Sequence, residues 1–440
     1  MANFVGGIHP FYNKITSASK TRFAKVPKLV VLPLSQHIGA PAKPIVNVGD
    51  RIKTGQKIAE ATGFVSAPIH ASCSGKVIAI EERPHPVSKK CQAIIIESDG
   101  LDDWHHGIQK REDPLSLEAE ELKTIIKEAG IVGMGGAAFP THVKLSPPED
   151  KKIDTIILNG AECEPYLTCD HRLMLDKTKE ILNGFLIIKK ILKAKHAYIG
   201  IENNKENAIG FFSNLIQEKQ LEKEIKVVVL PTKYPQGGEK NLIYAITKRE
   251  VPNGGLPMDV GCVAQNVQTA KAIYDAVFEG KPLIERMVTI TGAVRIPSNM
   301  SVRLGTSFKD LIEQSGGYKA APSKIISGGP MMGIAQATDE VPVIKGTSGI
   351  LVQLKEDVSI EDEGDCIRCG KCVDACPMLL IPTNIGRLSE LKEYDKAEEF
   401  NALDCYECGC CSYVCPSKIP LVKRIKEAKA KITEKKKAKK

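Results

Sequence analysis

The feature that most restricts this chain is a run of cysteines that occurs twice. Cys366, Cys369, Cys372 and Cys376 are spaced C-x2-C-x2-C-x3-C, as are Cys405, Cys408, Cys411 and Cys415, and each run ends in a proline, Pro377 or Pro416. Three thiolates two residues apart wrap three corners of an iron–sulfur cubane, and the amides of so tight a loop can bond its sulfides. The fourth cysteine lies too far along to close the same cubane, so it reaches the other one. The spacing specifies two 4Fe–4S clusters, one on Cys366, Cys369, Cys372 and Cys415 and one on Cys376, Cys405, Cys408 and Cys411. A zinc ribbon would use two C-x2-C pairs, not runs of four. Cys410 is off register and reads as a non-ligand neighbour. Cys73, Cys91, Cys163, Cys169 and Cys262 show no ligand spacing and read as buried apolar thiols.

Nine of the 14 cysteines lie between Cys366 and Cys415, and no secretory leader is evident, so metal is expected and disulfides are not. A chain of 440 residues holds several cores. It has no apolar run long enough to span a bilayer, and the expected location is cytoplasmic. Residues 423–440 carry ten Lys or Arg against two Glu, which accounts for the whole formal charge of +8. The body is balanced, so charge gives no support for nucleic-acid binding. In the tail, Ile425, Ala428 and Ile432 fall on one side of a possible helix. A solvated charged end is the ordinary reading, and attraction to an anionic membrane surface is the alternative.

The expected fold is multidomain α/β. Residues 1–110 are rich in Val, Ile, Gly and Pro, with strand-like runs at 29–32, 45–48, 76–80 and 93–97. They resemble a biotinyl/lipoyl-type barrel-sandwich. Such domains carry a modified lysine on a hairpin tip, but Gly63-Phe-Val-Ser-Ala-Pro68 has none, so the domain reads as scaffold. Residues 111–282 open with a helix capped by Ser116, with Leu122, Ile125, Ile126 and Ala129 as its apolar stripe and Gly130 as its end. Strands at 153–158, 197–201 and 226–230 then alternate with helices at 173–193, 206–218 and 239–248, the rhythm of a Rossmann-like parallel sheet. Residues 283–355 resemble a soluble-ligand-binding β-grasp (SLBB-like) domain, read as a spacer, with a strand at 287–292, a helix at 308–315 and a glycine-rich loop at 327–333. Residues 356–422 form the ferredoxin-like cluster module, starting near Ile360, and 423–440 the basic tail.

Gly133-Met-Gly-Gly-Ala-Ala-Phe-Pro-Thr-His-Val-Lys144 follows a helix, not a strand, so it is no ordinary dinucleotide fingerprint. It resembles the glycine-rich loop of the flavoprotein subunit of respiratory complex I, which holds FMN and NADH. Asn159-Gly-Ala-Glu-Cys-Glu-Pro165, Gly237-Gly-Glu239 and Gln265-Asn-Val-Gln-Thr269 resemble further segments of that subunit, in the same order. The resemblance implies a cofactor surface made by Gly133, Gly135, Gly136, Phe139, Lys144, Asn159, Glu162, Gly237, Gly238, Asn266 and Thr269. In it Lys144 meets the FMN phosphate, Asn159 and Asn266 bond the flavin, and Phe139 stacks on adenine. Glu164 and Glu239 are the implied catalytic pair, binding ribose hydroxyls or steering the nicotinamide. Three positions depart from the pattern: Ala161 replaces an Asp, Met134 an Arg and Gly238 a Glu. A degenerate site kept as scaffold is the alternative there.

With Gly6-Gly-Ile-His-Pro10 and Pro33-Leu-Ser-Gln-His-Ile-Gly-Ala-Pro41 added, the chain to about residue 421 resembles the RnfC family of Rnf-complex subunits. The family implies an ion-translocating ferredoxin:NAD+ oxidoreductase. Its RnfC member is peripheral on the cytoplasmic face of the membrane, carries noncovalent FMN and uses NAD(H). Its partners are a ferredoxin-type iron–sulfur subunit and integral membrane subunits. A soluble reductase of the corrinoid type and a flavin-free electron-wiring adaptor are the competing readings.

Overall fold

The computed structural model describes residues 2–358 and 361–438. Met1 of the first domain, Ser359 and Ile360 at the start of the cluster module, and Lys439 and Lys440 of the tail lie outside the described residues.

Seven strands form the barrel-sandwich. Leu29–Pro33, Lys90–Ser98, Gly75–Pro84 and Arg51–Ile52 make one antiparallel sheet, and Lys43–Pro44, Lys57–Glu60 and Ile69–His70 the other. Alternation buries Val30 and Leu32, whereas Ala93 to Ile96 are buried on both faces of the sheet. The run expected at 45–48 is not a strand: the ladder ends with the Ile45 amide on the Ile58 carbonyl (2.9 Å), and Asn47 and Asp50 close a turn through the bond from the Asn47 amide to the Asp50 carboxylate (2.8 Å). Residues 2–26 leave this domain and run over its neighbours. Arg22–Phe23 adds a parallel strand to the β-grasp sheet, beside Ser298–Arg303.

The first helix spans Ala119–Glu128, and its cap is Glu118, not Ser116; Glu121 completes a capping box. The Ser116 hydroxyl is turned onto the Asp113 carbonyl (2.8 Å). Leu122 and Ile126 are buried, and Gly130 follows at φ +66°. Four parallel strands come next, in the spatial order Ile225–Leu230, His196–Glu202, Thr155–Gly160, Cys262–Asn266. The helix expected at 173–193 is two, Cys169–Asp176 and Thr178–Leu192. The break comes at Lys177 (φ −136°), where the Thr178 hydroxyl, rather than its amide, takes the Met174 carbonyl (2.5 Å). Gly184 lets Thr178–Leu192 lie flush on Val267–Phe278, since a Cβ there would sit 1.8 Å from the Ala270 carbonyl oxygen.

The β-grasp sheet holds Glu285–Gly292 between Ser298–Arg303 and Gly349–Gln353, with Lys324–Ser327 and Ile334–Gln336 beyond. Its helix Phe308–Gln314 is capped by Ser307.

The cluster module has its own core, in which Ile385, Ala397, Ile425, Ala428 and Ile432 are buried. The tail is therefore no solvated end. Leu421–Ala438 is one helix whose apolar stripe is spent inside the protein, with Lys435 paired to Asp395 (2.6 Å) and Lys429 to Glu407 (2.7 Å). Among the described residues no helix is long and apolar enough to cross a membrane.

Candidate functional site

The strand order reverses between Thr155–Gly160 and Cys262–Asn266, and the crevice at the carboxyl ends of such strands is where α/β sheets bind ligands. Asn159 and Asn266 are register partners there, so parallel pairing brings together two distant motifs. Their amides are already committed. Asn159 Nδ2 donates to the Gly237 carbonyl (2.9 Å) and its Oδ1 accepts from the Ala161 amide (3.1 Å). Asn266 Oδ1 caps its helix at the Gln268 amide (2.8 Å), while Nδ2 donates to Asp170 (2.6 Å). Both side chains build the crevice walls rather than reaching out of them.

The glycine loop is closed at its neck by the Gly133 amide on the Phe139 carbonyl (2.8 Å). The Met134 amide donates to Thr269 Oγ1 (2.9 Å), and buried Arg286 donates to the Met134 carbonyl (3.2 Å). Gly135, Gly136 and Ala137 are left exposed. Gly136 holds φ +119° with nothing within 4 Å of where a Cβ would be, and Phe139 is half-buried. Bare amides on a pinned loop suit the close approach of a phosphate or a flavin edge. Lys144 Nζ pairs with Glu239 (2.5 Å), joining the loop to the helix Glu239–Thr247; both stay partly exposed.

In the Asn159–Pro165 turn both acidic side chains bond to backbone amides. Glu162 caps the helix Cys169–Asp176, accepting from the Asp170 (2.9 Å) and His171 (3.1 Å) amides. Glu164 accepts from the Met331 (2.6 Å) and Met332 (3.2 Å) amides of the glycine-rich β-grasp loop, which is thus a latch and not an idle spacer. A Cβ at Gly329 would lie 2.2 Å from Glu164 Cγ. Burial pushes the Glu164 carboxyl up to about 7 against the pull of those amides, and burial beside Glu162 pushes Asp170 up to about 6. Lys14, which sequence reasoning missed, is half-buried with Nζ on the carbonyls of Glu162 (2.7 Å), Glu164 (2.8 Å) and Leu167 (2.5 Å). No motif marks it. Gly237 is required where it stands, since a Cβ would be 2.4 Å from the Ala161 carbonyl oxygen. Cys163 is buried as expected but also accepts from the Gly237 amide (3.2 Å), Cys169 is buried among polar groups, and Cys91 is only half-buried.

Cys376, Cys405, Cys408 and Cys411 line one hollow, walled by Leu380, Pro382 and Ile425. This is the crossed set expected from spacing. The Leu380 amide points at Cys376 Sγ and the Glu407 amide at Cys405 Sγ (both 3.4 Å). Matching positions of the two runs share left-handed backbone: Arg368 and Glu407, Gly370 and Gly409, Leu379 and Lys418. Among the described residues no three of these cysteines bring their sulfurs within 4.8 Å of one another, whereas ligands of one tetrahedral zinc would. Four cysteines around one hollow are the donor set that a 4Fe–4S cubane takes. Cys410 also borders the hollow, and Cys408 and Cys410 both belong to an apolar cluster with Ile8, Cys163 and Tyr234.

The two cradles face different ways. Cys366 and Cys369 are exposed, with Ile367 between them 67% exposed. The Cys405–Cys411 loop is docked on the α/β domain instead. Tyr234 Oη donates to the Cys408 carbonyl (2.7 Å), Asn241 Nδ2 to Tyr406 Oη (2.7 Å) and the Gly254 amide to Asp404 (2.9 Å). Gly238 packs closely here: a Cβ would stand 3.1 Å from the Pro235 carbonyl oxygen and 3.2 Å from Tyr406 Oη.

Four family models match in order: the RnfC barrel sandwich hybrid domain (residues 2–101), the Nuo51 FMN-binding domain (126–275), the SLBB domain (287–335) and the 4Fe-4S dicluster domain (359–416). The fold resembles that of a chain of an NAD+-reducing nickel–iron hydrogenase in the H2-reduced state, at TM-score 0.52 and 17% identity over 72% of this chain and 63% of that one. The C subunit of the proton-translocating ferredoxin:NAD(+) oxidoreductase complex of Clostridium ljungdahlii is 52% identical over 92% of this chain and 88% of its own length. The C subunit of the Na(+)-translocating complex of Acetobacterium woodii is 48% identical over 98% of this chain and 97% of its own. The chain therefore belongs to the RnfC family, the C subunits of ion-translocating ferredoxin:NAD+ oxidoreductase complexes.

Proposed function

We propose that this chain is the NAD(H)-facing redox subunit of a membrane-associated, ion-translocating complex, peripheral on the cytoplasmic side. Its partners would be a ferredoxin-type iron–sulfur subunit and the membrane subunits that supply the ion path. FMN, when bound, supplies the exchange between two-electron hydride chemistry and the one-electron chemistry of the clusters.

The observation that carries this reading is the orientation of the cluster module. Tyr234, Asn241 and Gly254 fasten the Cys405–Cys411 cradle to the domain that bears the glycine loop. Cys366 and Cys369 at the other cradle stay open to a redox partner. Tyr406 spans the join, so the inner cradle lies against Gly238 and the helix that begins at Glu239. The roles implied for the loop follow from its shape: Gly135 and Gly136 expose amides for flavin and phosphate, and Lys144 supplies the cation. Lys144 must exchange Glu239 for the phosphate, which frees that carboxylate for a ribose hydroxyl. Glu162 and Glu164 act by holding the Asn159–Pro165 turn in place, not by touching the nucleotide.

The test is cofactor content. The reconstituted protein is expected to hold one noncovalent FMN per chain, and Lys144→Ala to bind FMN more weakly by equilibrium fluorescence. Unchanged affinity in that variant refutes the phosphate placement, and a wild type that never takes up flavin refutes the flavoprotein reading.

A further inference from the structure

The barrel-sandwich hairpin at 61–66 has no lysine to carry a group, yet it is held against the glycine loop. Phe64 at its tip is 67% exposed. His142, buried in the short helix that follows the loop, donates from Nε2 to the Phe64 carbonyl (3.1 Å), and its ring stands edge-on to the phenyl (centroids 6.3 Å apart, 86°). A second segment braces the tip. The Ile38 amide donates to the Ala138 carbonyl (3.4 Å), and the Ala40 amide to the Val65 carbonyl (3.0 Å). Gly39, at φ +114°, lies so close that a Cβ would be 2.1 Å from the Val65 carbonyl oxygen. Ser66 and Thr62 hydroxyls close the hairpin onto Ala40 (2.9 Å) and Pro41 (2.8 Å). The result is a braced hairpin that holds an aromatic ring out in solvent, with exposed Ile38 on its brace bonded to Ala138, the residue that follows the exposed run Gly135 to Ala137.

We infer that Phe64 is an adenine-stacking residue for the dinucleotide substrate, lent by the barrel-sandwich domain to the α/β domain. This rests on the NAD(H) reading above. Adenine is neutral and flat, so a fixed ring with an apolar neighbour binds its face, while bare glycine amides suit the diphosphate. A ring already braced loses little freedom on binding. The hairpin tip that carries a cofactor in its look-alikes would here recognise one.

The experiment compares wild type, Phe64→Ala and Phe64→Trp as FMN-loaded, cluster-containing full chain. Calorimetric titration with ADP-ribose reads adenine binding directly. Steady-state dye reduction compares NADH with reduced nicotinamide mononucleotide, which lacks adenine. Phe64→Ala is expected to weaken ADP-ribose and raise the KM for NADH by about tenfold, the scale of one lost base–aromatic stack. Its kcat is expected to hold, Phe64→Trp to retain affinity, and KM for the mononucleotide to stay the same. Equal ADP-ribose affinity in Phe64→Ala overturns the assignment, and so does an equal rise in KM for the mononucleotide, which would mean that Phe64 only supports His142. A wild type that binds no ADP-ribose overturns the NAD(H) reading itself, an outcome distinct from either.

Discussion

Glu164→Gln isolates the latch between the α/β domain and the β-grasp loop. The carboxylate accepts the Met331 and Met332 amides, and burial raises its pKa from 4.5 to about 7. At about 1.4 kcal/mol for each pH unit, that separation makes on the order of 3 kcal/mol of latch stability pH-dependent. The latched state binds the proton more tightly than the open chain. Its contribution is therefore complete below about 4.5 and is lost as pH rises through about 7. Glutamine keeps an acceptor for both amides but has no charge to bury. Hydrogen exchange of the peptide covering 327–333 reads the opening, with both proteins compared at each pH from about 5 to about 8.5, a range that brackets the shifted carboxyl. The wild type is expected to open progressively more easily than the variant up to about pH 7, above which the difference levels off. Profiles that stay parallel show that the carboxyl is not held in its neutral form, and refute the argument.

Cys376→Ser is expected to abolish the electron paramagnetic resonance signal lost in Cys405→Ser, not the one lost in Cys366→Ser, because Cys376 lines the hollow of the second run; the opposite result means each run closes its own cluster. Cys410→Ser is expected to leave the iron content unchanged, and lost iron would make it a ligand. Ile432→Ala, which empties a fully buried site between the tail and the cluster module, is expected to lower stability by about 2–5 kcal/mol, read as the urea midpoint for loss of cluster absorbance. A midpoint equal to wild type refutes the docked tail.

The cluster chemistry, the order of domains and the glycine loop were legible because each is written in short range. Cysteine spacing sets which corners of a cubane a loop can reach, and strand–helix rhythm sets a parallel sheet. Helix ends were read less well, since Ser116 and Glu118 can both cap and only the folded turn chooses between them. Tertiary structure alone decided what the implied site residues do. Parallel register made neighbours of Asn159 and Asn266. Close packing of the β-grasp loop brought the Met331 and Met332 amides onto Glu164, and the N-terminal segment brought Lys14 to three carbonyls it has no sequence relation to. Gly238 reads as a lost glutamate in the chain and as a close contact of Pro235 and Tyr406 in the fold. Spacing and periodicity act within a turn or two of backbone, whereas a hydrogen bond or a steric gap between distant residues exists only once the domains have packed.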